Sequence, residues 1–186
     1  MRSASFFAVL LSAASVSFAA DSYKVDPVHS SVVFSAHHAN AGYVFGRFNG
    51  FGGSFTLDDA DPTKSTFAAD IKVDTVDTAN EKRDAHLKAP DWFNAKQYPT
   101  ITFKSTKVEK ADDKTLTVTG DLTFHGVTKQ ASFPVKLTGK GEFPAGTVRA
   151  GILAEFVVKM SDYGIKGMPG AVGDDIKLIV AFEGTK

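Results

Sequence analysis

Apolar and polar residues alternate along most of the chain, and this period of two constrains the fold more than any other feature. An α-helix repeats every 3.6 residues, so strict alternation indicates strands with one buried and one exposed face. Turn-forming Asp, Gly and Pro clusters separate the runs. The clearest runs cover residues 31–36, 66–73, 100–104 and 115–124.

Further strands are predicted over residues 131–138, 148–159 and 176–182, and a glycine-rich strand from about residue 46 to residue 57. Apolar residues lie on both faces in places along residues 148–159 and 176–182, so alternation alone does not assign the inward face of these two segments. Eight strands joined in a meander predict an all-β, antiparallel fold. The pattern alone permits a closed barrel or a two-sheet sandwich.

One segment departs from the alternation. Residues 80–88 contain no β-branched residue and are rich in helix-forming Glu, Lys, Arg, Ala and Leu, and Pro90 follows. We therefore expect one short helix between two strands, placed to cap one end of a barrel.

The N-terminal residues have the layout of a secretory signal. Arg2 is followed by an apolar stretch from Phe6 to Val16, and Ser17-Phe18-Ala19 offers a cleavage site after Ala19. We expect residues 1–19 to be a signal peptide and residues 20–186 to form one soluble domain. A retained membrane anchor is the less favoured alternative, because the apolar run is short and no charged stop-transfer cluster follows.

Composition narrows the functional classes. The chain has no cysteine, so an exported protein of this sequence must depend on its core rather than on disulfides. Its 21 basic and 21 acidic residues balance, which argues against a nucleic-acid partner. Its 16 phenylalanines suit either an ordinary β core or the wall of an apolar cavity.

The histidines do not form a metal-binding motif, because their spacing matches no HExxH or clustered pattern. We therefore expect no metal site. Asp26, His29 and Ser30 include the residue types of a hydrolase triad, but groups so close in sequence seldom converge, and no Gly-x-Ser-x-Gly motif is present. A small exported hydrolase using these three residues stays open as an alternative function.

Several ordered motifs together resemble the YceI-like family of small exported, polyisoprenoid-binding barrels. The segments that carry the resemblance are YKVDPVHS at 23–30, VDTVDT at 73–78, RDAHL at 83–87 and GDLTFHGVT at 120–128. One departure is the aromatic pair Trp92-Phe93, where the family commonly has a single Phe. This difference would reshape the mouth of a cavity without changing the fold.

The resemblance implies an eight-stranded, lipocalin-like barrel with an amphipathic lipid ligand, an isoprenoid or quinone, in its interior. It also implies a periplasmic, non-catalytic carrier or store with no other cofactor. It is compatible with transient contact with a membrane and leaves monomer and homodimer open. A ligand-free structural module is a third alternative, because small barrels are often packed shut.

Alternation and the resemblance together assign the expected site. Some of these assignments, notably Phe48, Phe55, Phe156 and Phe182, depend on the positions of β-bulges. The expected wall of the tunnel consists of Phe34, Phe48, Phe55, Phe67, Ile71, Trp92, Ile101, Phe103, Leu122, Phe124, Phe156 and Phe182.

The expected mouth, where the ligand's head group would lie, consists of His38, Arg83, Tyr163 and Met168. For Arg83, a head-group contact competes with an ordinary ion pair between helix and barrel.

Overall fold

A computed structural model describes residues 20–186, so the predicted signal peptide lies outside the described residues. The first strand segments are β1 (Asp21–Val25), β2 (Ser31–His38), β3 (Gly42–Phe48), β4 (Phe51–Leu57), β5 (Thr66–Lys72) and β6 (Val76–Asp77). The later ones are β7 (Thr100–Lys110), β8 (Thr115–Phe124), β9 (Val127–Glu142), β10 (Val148–Lys159) and β11 (Val172–Thr185).

These segments close into an antiparallel barrel. From β4 the order runs through β5, β7, β8, β9, β10 and β11, and β11 then pairs with both β1 and β2. Segments β1 and β2 act as one interrupted strand, β3 and β4 as a second, and β6 extends β5. The predicted eight-stranded barrel is confirmed. The sandwich alternative is wrong, because the hydrogen-bonded order returns to its start.

The predicted helix is α1 (Glu81–Leu87), in the segment between β6 and β7. The Asn80 side chain caps it by accepting a hydrogen bond from the backbone N–H of Arg83 at 3.0 Å. No helix among residues 20–186 is long and apolar enough to cross a bilayer. Three 3₁₀ turns complete the elements: Pro62–Lys64, Val73–Thr75 and Ser161–Tyr163.

The two ends of the barrel differ in their packing. At one end, where β1 begins and β4 ends, inward side chains fill the interior, and Tyr23 and Val118 have no exposed surface. The Tyr23 ring stacks on Phe55 with a centroid distance of 5.3 Å. We call this the closed end. The opposite end, where β2 ends and β11 begins, carries α1 and the loop before β11.

Candidate functional site

The interior holds a cavity of about 480 Å³. This volume lies within the range of small-molecule pockets, roughly 300–1,000 Å³. Its wall is formed by inward side chains of the barrel strands, with Phe34 on β2 and Ile101 on β7 as examples. Aromatic and aliphatic side chains predominate, which is the composition expected of a site for an apolar molecule.

All twelve residues expected in the tunnel lie in the wall of this cavity. The eleven that lie on strands come together because alternation puts every second side chain inside the barrel. Trp92 and Phe93, which follow α1, complete the wall and are 5% and 7% exposed.

Phe55 forms the cavity floor. Its ring lies in the cavity wall and stacks on Tyr23, which is buried at the closed end and takes no part in the wall. Leu116 and Val118 are likewise buried outside the wall. The alternatives of a filled and a hollow barrel therefore each describe one half of the molecule.

Polar side chains reach the cavity at the opposite end, which we call the mouth. His38 ends β2, Arg83 lies on α1 and Met168 lies in the loop before β11, and all three border the cavity as expected. His38 is exposed, and Met168 is 49% exposed, so solvent reaches this end of the barrel.

Tyr163 corrects the expectation for the mouth. Its side chain is 4% exposed, packs against Phe124 with ring centroids 5.7 Å apart, and takes no part in the cavity wall. Its backbone carbonyl is 3.1 Å from Nδ1 of His125. Burial raises the pKa of the Tyr163 phenol. This residue supports the wall and does not contact the cavity.

Arg83 is held by neutral groups rather than by a carboxylate. Its Nε donates to the hydroxyl of Thr78 at 2.8 Å, and its Nη2 donates to the Thr78 carbonyl at 2.7 Å. Asp84 accepts from the backbone N–H and hydroxyl of the same threonine. The ion-pair interpretation of Arg83 is wrong for residues 20–186, where no carboxylate lies within 4.0 Å of its guanidinium. Its guanidinium borders the cavity, and the carboxylate of Asp84 is linked to it only through the shared Thr78 hydroxyl.

His86 and Trp92 fix the helix to the segment that follows it. The indole Nε1 donates to His86 Nε2 at 3.0 Å, and the rings meet edge to face. Since His86, Leu87 and Trp92 all border the cavity, α1 covers part of the mouth. The expectation that the helix caps one end of the barrel agrees with this placement.

Asp26, His29 and Ser30 do not form a triad. His29 Nδ1 is 2.7 Å from Asp26 Oδ2, but the Ser30 hydroxyl pairs with the backbone of Glu183, accepting from its N–H at 2.9 Å. The required hydrogen bond between nucleophile and base is therefore missing from this arrangement. These residues lie between β1 and β2, on the bulge that interrupts the first strand.

The same bulge brings Asp26, His29 and Glu183 within reach of one ion. Arg149 already occupies this position: its Nη1 lies 3.1 Å from Asp26 Oδ2 and 2.5 Å from Glu183 Oε1. A guanidinium between two carboxylates supplies the positive charge that a metal would bring. The cluster holds the bulge against the barrel wall.

Residues 23–184 match the family described as the YceI-like domain. The chain belongs to the YceI-like family. Protein YceI of Escherichia coli O157:H7 is 39% identical over 182 residues, which are 97% of this chain and 94% of that protein. The resemblance carried by the ordered motifs is therefore confirmed.

Two solved structures share the YceI-like fold. BcnA of Burkholderia cenocepacia has a TM-score of 0.76 at 23% identity, over 86% of this chain and 98% of that one. A domain from Saccharophagus degradans, described as polyisoprenoid binding and implicated in plant cell wall breakdown, has a TM-score of 0.67 at 15% identity. The match covers 87% of this chain and 97% of that domain. At these identities both likenesses concern the fold alone.

Sequence reasoning missed part of the YceI-like cavity wall. The missed residues on β10 and β11 follow the same inward register as Phe156 and Phe182, but outward Val157 and Ile179 obscured the alternation. Small residues at inward positions were a usable signal for a cavity, because small side chains leave the interior unfilled. The missed wall residues include Val32, Ala36, Val44, Ala69, Phe93, Phe133, Ile152, Ala154, Val158, Met160, Ile176, Leu178 and Val180.

The bulge cluster predicts a specific acid sensitivity. Hydrogen bonds from His29, the Val28 backbone and Arg149 lower the pKa of Asp26 from 3.8 to about 2. Because the folded-state pKa is depressed, the stabilisation is fully present above pH 3.8 and disappears as the pH falls toward 2. We expect Asp26→Asn to melt below the wild type at neutral pH, and the difference to shrink from pH 4 to pH 2.

Melting temperatures measured from pH 7 to pH 2 check this expectation. Asp70→Asn, which removes an exposed carboxylate outside the cluster, controls for the loss of one surface charge. If the difference in melting temperature between wild type and Asp26→Asn stayed constant from pH 7 to pH 2, the stabilisation would not depend on the ionised Asp26 carboxylate.

Proposed function

We propose that this protein binds one long-chain isoprenoid lipid or quinone and carries or stores it in the periplasm, without catalysis. The apolar tail lies in the cavity against the inner strand faces, and the polar head lies at the mouth beside Arg83. The observation that carries the proposal is a cavity with a predominantly apolar wall and a guanidinium, that of Arg83, at its mouth.

The energetics favour a chain over a compact polar metabolite. Each buried CH₂ contributes about 0.8 kcal/mol, so a tail that follows the wall gains affinity with every unit. A compact polar ligand would leave its own hydrogen-bonding groups unpaired against Phe34, Phe103 and Leu122. The closed end sets the depth that the tail can reach, because Phe55 and Tyr23 block the interior there.

Two further observations support the ligand class and the compartment. The Saccharophagus degradans domain that shares this fold is described as polyisoprenoid binding. The signal-like segment at residues 1–19 supports export. Together with membership of the YceI-like family, these point to an isoprenoid-type lipid outside the inner membrane.

Arg83 is the residue that we assign to the head group. Thr78 engages Nε and Nη2, which orients the guanidinium and leaves Nη1 to donate to a ligand. A quinone carbonyl or a phosphate oxygen is a suitable acceptor, because a guanidinium donates well to both neutral and anionic oxygens.

The test uses Trp92, the single tryptophan of the chain, as a fluorescent reporter in the cavity wall. Two ligands are titrated: an isoprenoid quinone and an isoprenoid hydrocarbon of the same length without a head group. We expect Arg83→Met to weaken quinone binding about tenfold, the loss of one hydrogen bond to a charged donor, and to leave hydrocarbon binding unchanged.

Arg47→Met, which removes an arginine from the outer face of β3, is the matched control. It should bind both ligands like the wild type. Equal losses for the two ligands in Arg83→Met would assign the residue to the support of α1 and remove it from the head-group site. Failure of the wild type to bind either ligand would overturn the proposed function.

A further inference from the structure

Two aromatic side chains project from the outer face of the barrel beside the mouth. Tyr43 and Phe45 alternate on β3 with inward-facing Val44, and they are 68% and 61% exposed. The outer face of a barrel strand in water normally carries polar side chains, so two neighbouring exposed aromatics are unusual. Val157 on β10, 57% exposed, lies across the same outer face. We call Tyr43, Phe45 and Val157 the aromatic face.

The aromatic face is continuous with the cavity. His37 borders both the cavity and the shallow groove beneath Tyr43 and Phe45, and its ring packs on Tyr43 with centroids 4.9 Å apart. Val44 lines the cavity from the other side of the same strand. One strand therefore separates the cavity interior from the aromatic face.

The barrel wall is incomplete at this strand. Along its second edge β3 pairs with β6 through Arg47 and Phe48 only. Residues 42–45 have no strand partner on that side within the described part of the chain. The β-ladder therefore does not extend to the mouth along this edge of β3.

The two lysines around the aromatic face are each paired with a carboxylate. Lys159 pairs with Asp175 at 2.6 Å, and Lys177 pairs with Glu155 at 2.9 Å. The surface therefore has no excess of cationic groups to select nucleic acid or a strongly anionic membrane. Its attraction for a partner is apolar and aromatic.

The size of the aromatic face argues against a second copy of this chain. Its three exposed side chains offer on the order of 350 Å² of apolar surface. A standard protein–protein interface buries roughly 800 Å² on each partner. Tyrosine and phenylalanine are instead well suited to the interface of a bilayer, where Tyr presents an apolar ring and a polar hydroxyl.

We propose that the aromatic face docks the protein on the surface of a lipid bilayer, with Tyr43 and Phe45 inserted at headgroup level. Docking there places the incomplete wall between β3 and α1 against the lipid, so that a ligand passes between bilayer and cavity without crossing water. The role of this docking, transfer of a ligand, rests on the proposed function. The position of the docking surface is argued from the exposed aromatic side chains and the strand edge of β3.

Co-flotation with phosphatidylcholine vesicles tests the docking. We expect the wild type to float equally at low salt and at about 0.5 M salt, because apolar contacts are not screened. Tyr43→Ser and Phe45→Ser should each lower vesicle partitioning about tenfold, and the double variant about a hundredfold. Phe143→Ser is the matched control: this phenylalanine is 75% exposed but lies beyond the end of β9, at the closed end.

The Trp92 titration, run on the same variants, separates this inference from the proposed function. Unchanged ligand affinity in the double variant, together with lost flotation, supports docking. A wild type that binds ligand but does not float, or a double variant that floats like the wild type, overturns docking and leaves the ligand assignment intact. Sedimentation tests the alternative of a second copy. A wild-type protein that is a dimer, does not float, and becomes a monomer on the double substitution would overturn membrane docking in favour of dimerisation.

Discussion

Replacing Ala154 with phenylalanine is expected to lower affinity for an isoprenoid ligand at least about a hundredfold. Ala154 lies on β10 and is 6% exposed, and its side chain forms part of the cavity wall. A phenyl ring at this position occupies space that the ligand tail requires. Displacing roughly four methylene groups of the ligand removes about 3 kcal/mol of favourable burial free energy, which lowers the affinity about a hundredfold.

The same substitution should leave the protein at least as stable as the wild type. Core substitutions that add volume usually cost about 1–3 kcal/mol because they strain a packed interior. Here the ring enters a void, and cavity filling commonly stabilises a protein by about 0.5–2 kcal/mol. The combination of lost binding with a retained or raised melting temperature is specific to a hollow site.

Ala111→Phe is the matched control for Ala154→Phe. Ala111 is exposed and lies between β7 and β8, at the closed end. The variant should bind the ligand like the wild type in the Trp92 titration. If Ala154→Phe bound with unchanged affinity, the ligand would lie elsewhere; if it failed to fold, the interior at Ala154 would be packed rather than hollow.

Gly53→Ala is expected to destabilise the barrel by about 3 kcal/mol or more, the second large effect. Gly53 has φ of +147°, where a side chain is strained, and an added Cβ would lie 2.3 Å from the carbonyl oxygen of Ala68. The obstacle is backbone on the paired strand β5 and cannot rotate away. For a domain of this size such a loss lowers the melting temperature by roughly 6–12 °C.

The adjacent Gly52 provides the control. A Cβ there would meet only the Asp70 carboxylate at 3.4 Å, an ordinary contact. Gly52→Ala should therefore change the free energy of unfolding by less than about 1 kcal/mol. Urea denaturation of the two variants measures the contrast. Equal midpoints would show that the close approach of β4 and β5 at Gly53 is not a constraint on the fold.

The strands and their inward faces were predictable because their cause is local, whereas the choice of a barrel over a sandwich came from the family resemblance. Alternation in runs such as 66–73 and 115–124 sets which side chains face inward without knowledge of any partner strand. The helix was predictable for the same reason, since Asn80, the helix-forming residues after it and Pro90 act within one short segment.

Tyr163 and the bulge cluster were beyond sequence reasoning for a different reason. Arg149 meets Asp26 across 123 residues of chain, and Tyr163, in the 3₁₀ turn after β10, packs on Phe124 at the end of β8. Their positions depend on how the barrel closes and on where the first strand is interrupted. Periodicity carries no information about either.

The hollow interior depends on a balance of side-chain volumes. Small Ala36, Ala69 and Ala154 line the cavity, whereas Tyr23 and Leu116 fill the closed end. Alternation identifies inward positions but does not say which of them face each other across the axis. The void therefore becomes visible only when all the strands are placed together.

Native mass spectrometry of the freshly purified protein, followed by organic extraction, shows whether the barrel holds a lipid. We expect a complex of one chain with one long-chain lipid, whose mass reappears in the extract and is lost from Ala154→Phe but not from Ala111→Phe. A wild-type protein with no added mass, whose Trp92 emission also does not respond to any isoprenoid quinone or hydrocarbon, would contradict this expectation.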